Sequence, residues 1–378
     1  MSASSHRSRI LVVDDDAGVL RAVERVLRER YELASTVSPS EAIERAKEFV
    51  PDLAILDIRM PALNGFELML RLKAELEDID VILMTGSITE PDSHLIRAIQ
   101  QGAFYFIQKP FDRQVLQTLV DRCLELRRLR AVANCELTKL HLAQSRLLPQ
   151  APPRYSGYKI AFRYRPFYFA TGDYHDFFLR RDGSLGVFVG DSSGHGPSAC
   201  IVMATMRALL YAQRDTGDDP GNVLSGLGQM GHRLIPPDLF MTAVYALLER
   251  NGRVRWAAGG QHPPLRISVT GKIAPAESKA VGLPLLVDPQ HNYETVTWQL
   301  GIGERLLIFT DGIVEATNPK GQMFGLSGLH ATLKDAVAAR LDCDSLVQTV
   351  VDRVKEYMDT SDFGDDFTLL AIERTDEK

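Results

Sequence analysis

Five short apolar runs alternate with amphipathic helical stretches over the first 122 residues: RILVV (9–13), YELAS (31–35), LAIL (53–56), VILMT (81–85) and AFYFI (103–107). Strands this short and this apolar need cover on both faces, which parallel strands joined by helices provide. Val19, Leu20, Val23, Val26 and Leu27 recur at helical spacing, and further helices are expected at 38–49, 66–76, 91–101 and after Pro110. In such a sheet, ligand chemistry gathers at the carboxyl ends of the strands. Asp14 and Asp15 follow the first strand, Asp57 the third, Thr85 closes the fourth, and Lys109 follows the fifth. The first loop holds three aspartates instead of a GxGxxG, which disfavours a dinucleotide and favours a cation. Converging carboxylates coexist in ionised form only beside a divalent cation. A lysine and a hydroxyl next to them suit a phosphoryl group. Taken alone, Phe106 reads as a core residue.

Composition limits the remaining choices. Hydrophobic residues make up 45% and charged residues 24% of the 378, as in globular protein with real cores. No run of 18 uncharged apolar residues occurs, so no membrane span is expected, and the start lacks the apolar core of a signal peptide. Cys123, Cys135, Cys200 and Cys343 lie far apart without CxxC spacing, which argues for a reducing, cytoplasmic home. Net charge is −5 over 1–122, +3 over 123–150 and −4 over 151–378, so neither large part resembles a nucleic-acid platform.

The motifs VVDDD, PDLAILDIRMP, LMTG and GAFYFIQKPF make residues 9–122 closely similar to a two-component receiver domain, a flavodoxin-like five-stranded parallel fold. The resemblance implies that Asp57 accepts phosphate from a histidine kinase. It implies Mg²⁺ held by Asp15, Asp57 and the Arg59 carbonyl in a pocket shared with Asp14. Lys109 would pair with the phosphate, and Thr85 and Phe106 would form the switch pair.

From Gln114 to Leu148 there is neither Pro nor Gly, so one long helix is expected. Positions 119, 123, 126, 130, 133, 137, 140, 144 and 147 form a heptad seam interrupted by Arg130 and Gln144. A helix packing on its own chain would explain it, but a parallel dimeric coiled coil is the favoured reading. Leu148-Pro149 and the APP at 151–153 stop the helix.

The second half carries longer strands, among them 158–170, 184–191, 240–249, 253–260, 291–300, 304–311 and 366–373. Links such as Arg250-Asn251-Gly252 and Gly301–Gly303 read as hairpins, so the sheets are mainly antiparallel. Helices are expected at 197–214, 219–233, 325–339 and 342–358, outside two packed sheets. Acids fall at the strand edges: Asp173 in ATGDYHD, Asp191 in VGDSSGHG, Asp311 in FTDGIVEA, and Asp365 and Asp366 in GDDFTLL. Alone, each reads as a turn residue or cap. Together they suit a pair of hard cations sharing an activated water.

These motifs resemble the PPM-type metal-dependent serine/threonine phosphatases, in the bacterial RsbU/SpoIIE-like branch, over about 155–374. AGGQHPPL and VGLPL are weaker supporting matches, and Thr171 replaces a commoner Gly. The resemblance implies an α+β four-layer (αββα) sandwich, with Asp173, Asp191, the Ser192 carbonyl, Asp311 and Asp365 as ligands of two Mn²⁺ or Mg²⁺ ions. Asp366 is the lesser member of its pair. His195 reads as a positioning residue before a proton donor, and His262 as structural. The expected domains are a receiver at 1–122, a helical coiled-coil linker at 123–150 and a phosphatase at 151–378. The expected function is a homodimeric response regulator whose phosphorylation controls dephosphorylation of a STAS-type anti-sigma-factor antagonist. The alternative is a catalytically weak adaptor that binds a sigma factor or anti-sigma partner.

Overall fold

The computed structural model describes residues 7–76, 78–86, 103–166, 170–216, 219–275, 281–360 and 364–376, and the chain divides into two compact units, Met1–Cys135 and Glu136–Lys378. In the first unit, β1 (Arg9–Val13), β2 (Glu32–Thr36), β3 (Leu53–Asp57), β4 (Asp80–Thr85) and β5 (Tyr105–Gln108) form one parallel sheet in the order β2-β1-β3-β4-β5. Alternation along each strand supplies both faces. Leu11, Val13, Leu56 and Leu83 pack on one side; Ile10, Val12, Ile55 and Ile82 pack on the other. Helices α1 (Ala17–Leu27), α2 (Pro39–Phe49) and α3 (Gly65–Glu75) cover them. Each fully buried Leu or Val contributes about 1.5–3 kcal/mol. The third aspartate of the DDD run has a separate task. Asp16 caps α1 by accepting the Gly18 amide at 2.6 Å. The helix expected at 91–101 lies outside the described residues.

Helix α4 (Arg113–Ser145) is the long helix, and the division between units falls within it. The nine-position seam does not form one uniform face. Cys123 is buried in the first unit with Leu116 and Val120, whereas Gln144 is buried in the second. Arg130 pairs with Asp80 at 3.5 Å, and Arg127 pairs with Asp52 at 3.5 Å. The middle of the helix leaves Leu126, Leu129 and Val132 exposed, and Val115 and Leu142 are exposed nearer its ends. The sequence pattern combines two anchoring ends with a short free stretch, because both kinds of burial repeat at helical spacing.

The second unit holds two sheets. One has the order β13-β10-β9-β8-β7, with β14 on β10; the other has the order β12-β11-β15-β16-β6. Their strands are β6 (Tyr158–Arg165), β7 (Tyr174–Leu179), β8 (Leu185–Ser192), β9 (Met241–Leu248), β10 (Arg253–Gly259), β11 (Leu265–Ile267), β12 (Ile273–Pro275), β13 (Val281–Gly282), β14 (Val296–Gln299), β15 (Arg305–Phe309) and β16 (Phe367–Arg374). Val187, Val244, Trp256, Ile308 and Leu370 fill the space between the sheets. Helices α5 (Pro197–Gln213) and α6 (Pro220–Gly231) pack on the outside of the first sheet through Met203 and Leu224. Helices α7 (Gly325–Ala338) and α8 (Cys343–Met358) pack on the second through Leu329 and Val347. The result is four layers, helix–sheet–sheet–helix.

Two readings change. Strand β7, starting one residue after Asp173, carried no expectation, because YHDFFL mixes His and Asp into a strand buried at its first five residues. Gly301–Gly303 is not a hairpin: β14 pairs with β10 in one sheet, while β15 pairs with β11 and β16 in the other. Leu300, fully buried, sits in the core between the sheets where the chain crosses. Among the described residues, no helix is long and apolar enough to cross a membrane.

Candidate functional site

In the first unit the expected residues meet at the carboxyl end of the sheet. Lys109 Nζ lies 2.6 Å from Asp14 Oδ2 and 2.6 Å from Asp57 Oδ1. Asp14 Oδ1 accepts the Asp16 amide at 3.0 Å, and Asp57 Oδ2 accepts the Arg59 amide at 3.1 Å. Asp14 and Asp57 are buried and Asp15 is exposed, and one carboxylate oxygen from each lies within 4.8 Å of the others. Burial raises the Asp14 pKa, opposed by the hydrogen bond from Lys109. Burial disfavours the Lys109 ammonium, but its bonds to Asp14 and Asp57 outweigh this and raise its pKa overall. Three carboxylates against one ammonium leave an excess of negative charge at a mouth open through Asp15, which suits a hard cation. Thr85 is buried at the end of β4, and Phe106 packs half-buried against the core beside Tyr105.

The second cluster is assembled by antiparallel pairing. The start of β7 lies beside the end of β8, with Tyr174 opposite Gly190, so Asp173 comes next to Asp191. The start of β16 lies beside the end of β15, with Leu369 opposite Phe309, which brings Asp365 and Asp366 next to Asp311. Each sheet thus contributes one such pair. The Thr310 hydroxyl joins them by donating to Asp173 Oδ2 at 3.0 Å. Close approach requires glycine at two points. A Cβ on Gly172 would stand 2.8 Å from the Ser192 carbonyl oxygen, and one on Gly312 would stand 2.0 Å from that of Asp366.

Burial is graded across this cluster. Asp173 is fully buried, Asp191 and Asp311 are intermediate, and Asp365 is exposed. Burial raises the Asp173 pKa, with the Asp191 charge adding to it. Burial together with Asp311, Asp365 and Asp366 pushes Asp191 up to about 8. Burial, then Glu315 and Asp365, raise Asp311. Among the described residues, no lysine or arginine pairs with Asp173, Asp191, Asp311 or Asp365. Asp173 Oδ1 is buried and has no hydrogen-bond partner. Crowded acids with no lysine or arginine partner among the described residues, one with a buried oxygen lacking a hydrogen bond, fit a divalent-cation site.

This crowding has a measurable consequence. Asp191 has a folded pKa of about 8 against an ordinary 3.8, so between these values the folded protein holds more protons than the unfolded chain. Stability therefore falls as pH rises through this window. In chelator, the melting temperature of the second unit is expected to drop from pH 5 to pH 8, and excess Mn²⁺ or Mg²⁺ should remove the drop. A flat or rising profile in chelator would contradict the crowding.

Supporting residues surround these acids, and two of them, His175 and Gln261, carried no sequence signal. Gln144, on α4, donates to the Thr171 carbonyl at 2.6 Å and accepts the Thr171 amide at 3.1 Å. Although it occupies a seam position, its side chain is buried against the loop that carries Asp173. Thr171, the residue that departs from the commoner Gly, accepts the Asp173 amide on its hydroxyl at 3.0 Å. His175 Nε2 donates to the Pro149 carbonyl at 3.1 Å, and burial lowers its pKa to about 4, so the ring is neutral. Asp366, also buried, accepts the Gly172 amide at 3.1 Å. Gln261 bridges the Thr242 hydroxyl and the Phe309 carbonyl, and the His262 ring stacks on Phe309 at 5.5 Å. His195 sits in the turn that opens α5.

The family described as Stage II sporulation protein E (SpoIIE) matches residues 181–375, and the response regulator receiver domain matches residues 10–121. The SpoIIE match begins after Asp173. Transcriptional regulatory protein PrrA of Mycobacterium tuberculosis is 38% identical over 123 residues, 32% of this chain and 51% of the relative. GlrR of Escherichia coli is 32% identical over 123 residues, 32% of this chain and 27% of that protein. The chain thus spans about half or less of the length of these curated relatives. For the fold, the SiaA-PP2C domain of Pseudomonas aeruginosa superposes with a TM-score of 0.55 at 18% identity, over 66% of this chain and 98% of that one. The RsbU and RsbW domains of a Mycobacterium tuberculosis protein give 0.52 at 24% identity, over 61% and 64%. The chain belongs to the SpoIIE family and carries, ahead of the SpoIIE segment, a stretch that matches the response regulator receiver domain.

Proposed function

We propose that the second unit hydrolyses phosphoserine or phosphothreonine on a partner protein, and that phosphorylation of Asp57 governs this activity. The observation that carries the reading is the set of acids from four segments, with no lysine or arginine paired to Asp173, Asp191, Asp311 or Asp365 among the described residues, around a buried carboxylate oxygen without a hydrogen-bond partner there. Asp173, Asp191, the Ser192 carbonyl, Asp311 and Asp365 would hold two Mn²⁺ or Mg²⁺ ions. When bound, such ions neutralise phosphoryl oxygens and lower the pKa of a water. The chain's own residues orient the ligands: Asp366 holds the Gly172 amide, and Gln144 holds both polar groups of Thr171.

In the receiver, Asp15, Asp57 and the Arg59 carbonyl would hold Mg²⁺ beside Asp14, with a sensor histidine kinase or phosphotransfer protein as donor. Lys109, already bonded to Asp57, would follow the phosphoryl oxygen, and Thr85 and Phe106 would report it. The substrate is a phosphorylated STAS-type antagonist in a cytoplasmic partner-switching pathway, and the working form is a homodimer. The test is hydrolysis of phosphorylated candidate antagonists with and without acetyl phosphate or beryllofluoride. Absence of turnover on every phosphoprotein, with cation present, would favour an adaptor.

Asp57→Asn isolates the receiver. Labelling by a small phosphodonor is expected to disappear, while basal hydrolysis of a small phosphate ester persists because its ligands lie in the other unit. Undiminished labelling would place the acceptor elsewhere.

A further inference from the structure

Two buried hydroxyls converge on one oxygen of Asp173. Thr310 Oγ1 donates to Asp173 Oδ2 at 3.0 Å, and Thr368 Oγ1 donates to the same oxygen at 2.6 Å. Both threonines are fully buried. The proton positions follow from their partners. Thr310 Oγ1 accepts the Thr368 amide at 2.8 Å, so its single proton is left for the carboxylate. Oδ2 is therefore doubly bonded to donors, while Oδ1 has none and is shut off from water.

The same two residues tie the strands that carry the other acids. The Thr310 amide donates to the Thr368 carbonyl at 3.0 Å, which closes a reciprocal link between the end of β15 and the start of β16. Thr310 immediately precedes Asp311, and Thr368 follows Asp365 by three residues. Asp173 arrives from the margin of the opposite sheet. Three acid-bearing segments thus meet at two hydroxyls.

We propose that Thr310 and Thr368 are positioning residues for the divalent-cation site: by occupying Oδ2 they leave Oδ1 as the one metal-facing oxygen of Asp173, and they set its spacing from Asp311 and Asp365. This rests on the cation reading given above. Partners of this kind orient ligands rather than bind the ion, and their loss typically lowers metal affinity by about 10–100-fold. A threonine that merely fills the core would affect folding and leave cation affinity alone. Valine keeps the shape of threonine and removes the hydroxyl; serine keeps the hydroxyl and removes the methyl.

The experiment measures Mn²⁺ binding to the full chain by calorimetry, in an Asp15→Asn, Asp57→Asn background that removes the receiver's ligands. Thermal unfolding in chelator is recorded alongside. Thr368→Val is expected to weaken Mn²⁺ by about 10–100-fold with its secondary structure intact, and Thr368→Ser to restore most of the affinity. Wild-type affinity in a folded Thr368→Val would overturn the proposal. Serine binding as weakly as valine would overturn it too, because the methyl group would then be responsible. If Thr368→Val does not fold, Thr368→Ala removes the hydroxyl without placing an apolar group against the carboxylate, and the same comparison applies. A starting protein that binds no Mn²⁺ in this background would overturn the cation reading itself, which distinguishes that failure from failure of the threonine pair.

Discussion

Asp191→Ala and Asp311→Ala are each expected to abolish Mn²⁺-dependent hydrolysis of a small phosphate ester, with losses above about 100-fold, since even an outer partner of a ligand is worth about 10–100-fold. The fold should survive. Asp191 is held in the protein with its pKa pushed up to about 8 by burial and by its acidic neighbours, so deleting it removes repulsion instead of support. In chelator, the variants should therefore melt no lower than the parent protein at pH 8. Initial rates with graded Mn²⁺, together with melting in chelator, separate loss of the site from loss of the fold. Full activity in either variant, or in the parent protein with excess chelator, would sink the two-cation assignment.

The second large effect concerns coupling. Inserting four Gly/Ser residues near Ala133 is expected to leave both chemistries intact and to remove the dependence of hydrolysis on Asp57 phosphorylation. The insertion site lies in the exposed middle of α4, where Leu129 and Val132 are uncovered, so neither core is disturbed. A helix transmits rotation or register, and a Gly/Ser segment does not. Gln144 is the point at which such a change would reach the acids, because it bonds both polar groups of Thr171, two residues before Asp173. Gln144→Leu leaves those two buried groups without partners, at about 1–3 kcal/mol each, and should depress basal hydrolysis as well as coupling. The measured quantity is the ratio of rates with and without acetyl phosphate. A parental ratio after the insertion would show that the helix is not the transmitter.

Much of this protein could be read locally. The receiver sheet follows from five apolar runs, and Asp14, Asp57 and Lys109 could be named beforehand because in a parallel sheet every strand's carboxyl end lies on one edge. Strand direction alone brings them together. The acids of the second unit were legible only as a set: each stands at a strand margin beside a glycine or a second acid, and each alone reads as a turn residue or cap.

What the sequence by itself determined was thus the class of each half and which acids stand at its strand ends, since strand ends, helix faces and close-approach glycines leave marks in adjacent residues. Only the tertiary structure decided which residues support them. Gln144 has the same spacing as a seam residue, yet its amide is buried against Thr171, 27 positions away. Thr310 and Thr368 look like ordinary strand residues, and they meet Asp173 across 137 and 195 positions. The crossover at Gly301–Gly303 has the composition of a hairpin and joins strands of different sheets. Periodicity reports how far a side chain is from solvent, not what it touches. Those partners exist only once two sheets have stacked and two antiparallel pairs have brought their ends to one edge.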